Sequence, residues 1–124
     1  GAEKPSPVDR IKDSDIKVLS NRVIINVNNP KWRKFIDSNS MDPLIDEGST
    51  TLEIKPKKAE EIRVGDIIAF SVDDYELAIV HRVAGIRYDA EGIYFITKGD
   101  NYGDEDPYKV RFPQVEGIVV GVLY

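Results

Sequence analysis

The sequence contains no cysteine and only one histidine among its 124 residues. Without cysteine the chain has no disulfide, no thiolate zinc site and no cysteine nucleophile. A single histidine also rules out a metal site built from several imidazoles. We therefore expect a protein that works without a metal or another cofactor.

Long apolar runs are also absent. The longest, residues 117–124, has eight residues and ends with the chain, whereas a membrane-spanning helix needs about 18 or more. No signal-peptide pattern opens the sequence. The net charge is −5 and the pI about 4.9, and the short basic stretch 55–58 is followed at once by Glu60 and Glu61. This charge distribution predicts that the protein does not bind nucleic acid.

The distribution of strand and turn signals predicts an all-β fold, either a small antiparallel barrel or a pair of packed sheets. Residues 1–14, with two prolines and mixed charges, are predicted to be a flexible leader, and residues 15–124 a single domain. Residues 31–37 fit a helical turn and a short extended piece equally well. Residues 99–113 form a connection of unusual length, which is typical of functional loops. The predicted strands cover residues 22–27, 50–55, 66–72, 76–88, 93–97 and 115–123.

Three short motifs carry groups suited to acyl transfer. Ser40 lies in Ser-Asn-Ser-Met-Asp-Pro at 38–43, at a turn predicted to lead into a short helix from Met41 to Ile45. The turn would expose its Oγ beside outward-pointing N–H groups. His81, in Ile-Val-His-Arg-Val, shares a strand face with inward apolar residues. Asp100 and Asp106 lie in the long loop. A serine, a base that titrates near neutrality and an orienting carboxylate are the parts of a Ser-His-Asp site.

Each motif also has an ordinary structural interpretation. Ser40 alone is typical of a helix N-cap, His81 of a histidine satisfied in the core, and Asp100 of a turn-forming residue. Because the three motifs follow one another in order and near strand ends, the combination favours catalysis. Which of Asp100 and Asp106 would orient His81 is open from the sequence.

Four segments together resemble the catalytic domain of type I signal peptidases, the serine endopeptidases that remove signal peptides from exported proteins. The serine motif resembles their Ser-x-Ser-Met-x-Pro box, and residues 64–70 the Gly-Asp-hydrophobic strand after it. Ile-Val-His-Arg-Val at 79–83 resembles the box that holds histidine in the archaeal and endoplasmic-reticulum branch. Residues 97–101 resemble the Lys-Gly-Asp-Asn box, with Asp106 six positions beyond Asp100.

The resemblance implies a fold and a role for each residue. The expected fold is the signal-peptidase β-barrel of short antiparallel strands with a short helix after the nucleophile, which self-cleaving repressors share. Ser40 would be the nucleophile, His81 the general base, and Asp100 or Asp106 the orienting acid. Ser38 would complete the oxyanion hole with the Ser40 N–H. The implied substrate is an extended signal peptide.

Three departures from the family leave other functions open. Gly48 is followed by Ser49 where the family has Asp, Tyr102 replaces a second Asn, and the expected membrane anchor does not precede the serine box. The resemblance implies a domain on the extracytoplasmic face, anchored through a segment missing from this sequence; otherwise the protein is a soluble relative. The alternatives are a decayed peptide- or protein-binding module of this fold and, third, a soluble self-processing peptidase.

Overall fold

A computed structural model describes residues 4–36 and 38–124. The fold is all-β, as predicted: eight strands form two antiparallel sheets, and the helical structure of the described residues consists of short 3-10 turns. Within these same residues, no helix is long and apolar enough to cross a membrane. The strands are β1 (Ile16–Val18), β2 (Val23–Ile25), β3 (Pro30–Lys34), β4 (Thr50–Ile54), β5 (Ile67–Phe70), β6 (Ile79–Asp89), β7 (Gly92–Lys98) and β8 (Val115–Leu123).

The two sheets differ in size and burial. Strands β1 and β2 pair only with each other, from Ile16 opposite Ile25 to Val18 opposite Val23, and every residue in them is exposed. The other six strands form one sheet in the order β3-β4-β8-β5-β6-β7. The candidate site residues lie on or beside this larger sheet.

The six-stranded sheet is open rather than closed into a barrel. Its two edge strands are β3 and β7, which do not pair in the described chain. Closure needs the two edges to meet in a fixed stagger. Here the long connection after β7 folds back instead, and Val110 forms an antiparallel bridge with Phe95 at the edge of β7. The chain therefore covers this edge with its own loop.

Apolar residues pack against both faces of the larger sheet. All four residues of β5 are buried, with Ile68 and Phe70 in one hydrophobic cluster and Ile67 and Ala69 in a second. The first cluster lies under the long connection, which contributes Val110. The second lies under the segment after the serine motif and includes these residues: Phe35, Met41, Ile45, Val80 and Val119.

The predicted short helix from Met41 to Ile45 is a run of turns instead. It has one helix-like hydrogen bond, from the Ile45 N–H to the Met41 carbonyl (3.0 Å), and the Asp42 N–H donates to the Asn39 carbonyl (3.3 Å). Pro43 has no N–H to donate and disfavours helical geometry at the residue before it. Burial of Met41 and Ile45 fixes the segment without a regular helix.

Strand β3 shows that residues 31–34 of the ambiguous region are extended chain, whereas the last residue of that region, Asp37, lies outside the described residues. The residues of β3 pair with β4, with Trp32 opposite Leu52. The Trp32 side chain, the only tryptophan, is 71% exposed on this edge strand. Strand β3 ends at Lys34, a few residues before the serine motif, so the sheet edge runs directly toward it.

Part of the leader packs against the turn before β5. The Arg10 guanidinium donates to both carboxylate oxygens of Asp66 (2.8 and 2.7 Å), and the Val8 N–H also donates to Asp66 (3.0 Å). The Arg63 N–H adds a further bond (2.7 Å). Burial raises the pKa of Asp66, but these donors outweigh it and hold the pKa below its usual range. The buried carboxylate thus ties the leader to the domain.

We expect Asp66→Asn to make stability less sensitive to acid. A carboxyl with a lowered folded pKa contributes stability that is complete above its unfolded pKa of about 3.9, and loses it as pH falls through the folded pKa. The wild type should therefore lose more unfolding free energy than the variant between about pH 7 and pH 2. Urea unfolding followed by circular dichroism measures this.

Asp73→Asn supplies the matched control, because it makes the same chemical change at an exposed turn. The difference in unfolding free energy between wild type and Asp66→Asn should become smaller on acidification, because protonation removes the charge that Asp66 carries in the wild type. A difference that stays constant with pH would contradict the assignment.

Candidate active site

One cleft of about 980 Å³ holds four of the five candidate residues, Ser38, Ser40, His81 and Asp106, whereas Asp100 does not line it. Three segments line the cleft. The first contains Ser38 and Ser40, the second runs from residue 74 into the start of β6 and ends at His81, and the third is the part of the long connection from Tyr102 to Tyr108. Among the described residues, no three His, Asp or Glu side chains gather as metal ligands. The cleft is large enough for several residues of an extended peptide.

The serine motif makes a sharp turn at its centre. Asn39 has a φ of 57°, in the left-handed region that Asn tolerates better than most residues. The hydroxyl oxygens of Ser38 and Ser40 lie 3.1 Å apart on either side of it, and either one can be the donor. The sequence predicted an exposed Ser40, but the residue is only 5% exposed and reaches solvent through the cleft.

Backbone contacts fasten this serine turn to the start of the long connection. The Asn101 N–H donates to the Ser40 carbonyl (3.0 Å), and the Asn101 side-chain amide donates to the Asn39 carbonyl (2.9 Å). The Asp100 N–H points to the Met41 sulfur (3.4 Å). The position of Ser40 therefore depends on the loop that follows β7.

His81 lies in the larger sheet with its imidazole among buried groups. It pairs with Ile68 of β5 and is 5% exposed. Its ring meets Phe70 edge-on, with centroids 6.3 Å apart. Nδ1 lies 2.6 Å from Oδ2 of Asp106. A neutral imidazole that donates from Nδ1 to this carboxylate keeps Nε2 as a proton acceptor.

Asp106 is held in place by Thr97 of β7. The Thr97 hydroxyl donates to the carboxylate oxygen that contacts His81 (2.7 Å), and the Asp106 N–H donates to the Thr97 carbonyl (2.8 Å). The loop thus returns to β7 after nine residues. Two donors on one oxygen fix the carboxylate against the imidazole.

Asp100 has a different partner. The Arg82 guanidinium donates to both of its carboxylate oxygens, at 2.8 and 2.7 Å. These hydrogen bonds lower the pKa of Asp100 and raise that of Arg82. Arg82 also donates to the Gly65 carbonyl (3.0 Å), so it links the loop to the turn before β5. Of the two candidate aspartates, the fold brings Asp106 to His81 and gives Asp100 to Arg82.

Gly99 lies between the serine motif and the histidine. A Cβ at this position would lie 2.7 Å from the Ser40 carbonyl oxygen and 3.2 Å from His81 Nε2. Sequence reasoning assigned no role to Gly99, Thr97 or Arg82. A glycine directly after a strand and before a charged turn is the signal that could have indicated the close approach at Gly99.

We expect Gly99→Ala to lower the turnover of any reaction that joins Ser40 and His81, by roughly a hundredfold if it moves them by about 1 Å. The clash is with backbone, so the serine turn has to shift. Gly103→Ala is the matched control in the same loop, because a Cβ there meets nothing within 4 Å. Peptide cleavage rates of the two variants provide the measurement. Equal rates would show that the spacing at Gly99 is not needed.

Comparison with known proteins relates this chain to the signal peptidases. No family model matches the chain. Signal peptidase I W of Bacillus subtilis is 32% identical over 88 residues, which are 71% of this chain and 46% of the relative. The signal peptidase complex catalytic subunit SEC11 of Yarrowia lipolytica is 31% identical over 94 residues, 69% of this chain and 54% of the relative.

A third relative, the human signal peptidase complex catalytic subunit SEC11C, is 37% identical over 70 residues, 56% of this chain and 36% of the relative. The chain is thus homologous to the signal peptidases. It spans about half the length of these curated relatives or less.

Proposed function

We propose that the chain is a serine endopeptidase of the signal peptidase I type, with Ser40 as nucleophile, His81 as general base and Asp106 as the orienting acid. The observation that carries the proposal is the 2.6 Å contact from His81 Nδ1 to Asp106, in the cleft that also holds the Ser38–Ser40 pair. With Asp106 on Nδ1, the basic nitrogen Nε2 is the one beside Gly99, next to the Ser40 backbone.

In the first step Ser40 Oγ attacks the carbonyl carbon of the scissile peptide bond. His81 Nε2 takes the hydroxyl proton, and the resulting imidazolium is stabilised by Asp106. The tetrahedral intermediate then collapses, the C–N bond breaks, and His81 gives the proton to the leaving amine. The product at this stage is an acyl ester on Ser40.

In the second step water hydrolyses the ester. His81 Nε2 takes a proton from the water as its oxygen attacks, and returns it to Ser40 Oγ when the ester bond breaks. Ser38 supplies a hydroxyl donor to the oxyanion in both steps, together with the Ser40 N–H. The 3.1 Å separation of the two serine oxygens supports this role, because it holds the Ser38 hydroxyl at the reacting centre.

Signal peptides of exported proteins are the substrate that the names of the relatives favour. An extended peptide paired with the edge strand β3 would pass from Lys34 toward Ser40, so main-chain hydrogen bonds would hold it along the cleft. We also propose that the domain acts on the extracytoplasmic face of a membrane, to which a segment outside the described chain anchors it.

The test is incubation of the chain with an extended signal-peptide substrate in detergent, with the products identified by mass. A single cut after the signal sequence would support the proposal. Binding of the peptide without any cut would contradict it and favour a binding module of the same fold. Loss of mass by the chain itself over days would favour self-processing instead.

A further inference from the structure

Tyr102 lies over the histidine at the mouth of the cleft. Its N–H donates to the Gly99 carbonyl (3.0 Å), which closes a four-residue turn and brings the ring back toward the sheet. The ring is perpendicular to the His81 imidazole, with centroids 5.8 Å apart. This is the position at which the chain has Tyr in place of the second Asn of the Lys-Gly-Asp-Asn box.

The tyrosine ring edge and the basic nitrogen of the histidine approach the same point. Tyr102 Cδ2 is 3.0 Å, and His81 Nε2 is 3.2 Å, from the place where a Cβ on Gly99 would lie. The other ring against His81, that of Phe70, belongs to the buried core. Tyr102 is 46% exposed and lines the cleft, so it stands between the imidazole and solvent.

We propose that Tyr102 is a positioning residue that excludes water from the His81 imidazole. An aromatic ring at this place removes water molecules that would otherwise hydrogen-bond to Nε2 and compete with the Ser40 hydroxyl for it. The shielding depends only on the geometry above. Its consequence for turnover rests on the proposed function, because it requires Nε2 to take the proton of Ser40.

The single histidine makes the shielding measurable without a substrate. The proton shared by His81 Nδ1 and Asp106 can be followed by NMR, and its exchange with water compared in wild type, Tyr102→Ala and Tyr102→Phe. Exchange should be roughly three- to tenfold faster in Tyr102→Ala, which is the factor that corresponds to the loss of one aromatic contact. Tyr102→Phe keeps the ring and should exchange like wild type.

Tyr88→Ala is the matched control, because Tyr88 is 75% exposed in β6 and does not line the cleft. Both tyrosines are exposed enough for their alanine variants to fold, which urea unfolding verifies. In a peptide cleavage assay, Tyr102→Ala should lower kcat roughly three- to tenfold with a smaller change in KM, and Tyr102→Phe should restore kcat.

The two measurements separate the inference from the proposed function. Unchanged proton exchange in Tyr102→Ala would overturn the inference, whatever the cleavage assay gives. If Tyr88→Ala exchanged as fast as Tyr102→Ala, the effect would come from a general loosening of the fold, and the inference would be overturned. If Tyr102→Phe exchanged as fast, the effect would come from the hydroxyl and not from the ring, which would also overturn it. Faster exchange in Tyr102→Ala alone, with no cleavage by wild type, would support shielding and contradict the peptidase assignment.

Discussion

Ser40→Ala and His81→Ala are each expected to reduce the cleavage rate by about 10⁶-fold, the size of effect that removal of a triad serine or histidine produces. Each removes a group on which the other depends: the serine is a weak nucleophile without the base, and without the serine the base has no side-chain nucleophile to activate in the first step. The double variant should therefore be no slower than either single variant. Peptide cleavage under single-turnover conditions measures all three.

Ser71→Ala is the control for this series, because Ser71 is exposed, its hydroxyl donates to the Gln114 carbonyl (3.4 Å), and it does not line the cleft. Additive losses in the double variant would indicate that Ser40 and His81 do not act together.

Asp106→Asn is expected to lower kcat by about 10⁴-fold, the loss that the same change produces in a serine-protease triad. The asparagine side chain can donate to Nδ1, which would stabilise the tautomer that carries its proton on Nε2. That tautomer cannot accept the proton of Ser40. Cleavage assays give kcat, and the NMR signal of the histidine reports the tautomer directly.

Asp100→Asn is the matched comparison, since it makes the same change six residues earlier in the same loop. This variant loses part of the two-point contact with Arg82 and should be less stable by about 1–3 kcal/mol, but it should keep most of its kcat. A larger loss of kcat in Asp100→Asn than in Asp106→Asn would reverse the assignment of the orienting acid.

The strand pattern was readable from the sequence because it is a local property. Alternating apolar residues bounded by turn residues predicted β4 to β8 within a few positions of their observed bounds. The open sheet was not readable, because closure depends on whether β3 and β7 meet, and these edges are far apart along the chain. The prediction of a helix after Ser40 was wrong for a local reason, which is the effect of Pro43 on the backbone.

The residues of the candidate site were predictable from the sequence, but which aspartate contacts His81 was not. Both aspartates sit in turn-forming sequence, and nothing local distinguishes them. The choice follows from the register of β6 and β7, in which Arg82 lies opposite Lys98, so that Asp100 emerges beside Arg82. Asp106 reaches His81 only because its backbone returns to Thr97. Such a return of a long loop is a tertiary event that spacing does not encode.

The exposure of Trp32 on the edge strand has a consequence for optical work on this protein. An indole that is already in water emits at long wavelength in the native state, so its emission changes little when the protein unfolds. Intrinsic emission is therefore a poor probe of denaturation here. It is instead a local reporter of the strand that ends beside the serine motif, sensitive to whatever comes to lie against that edge.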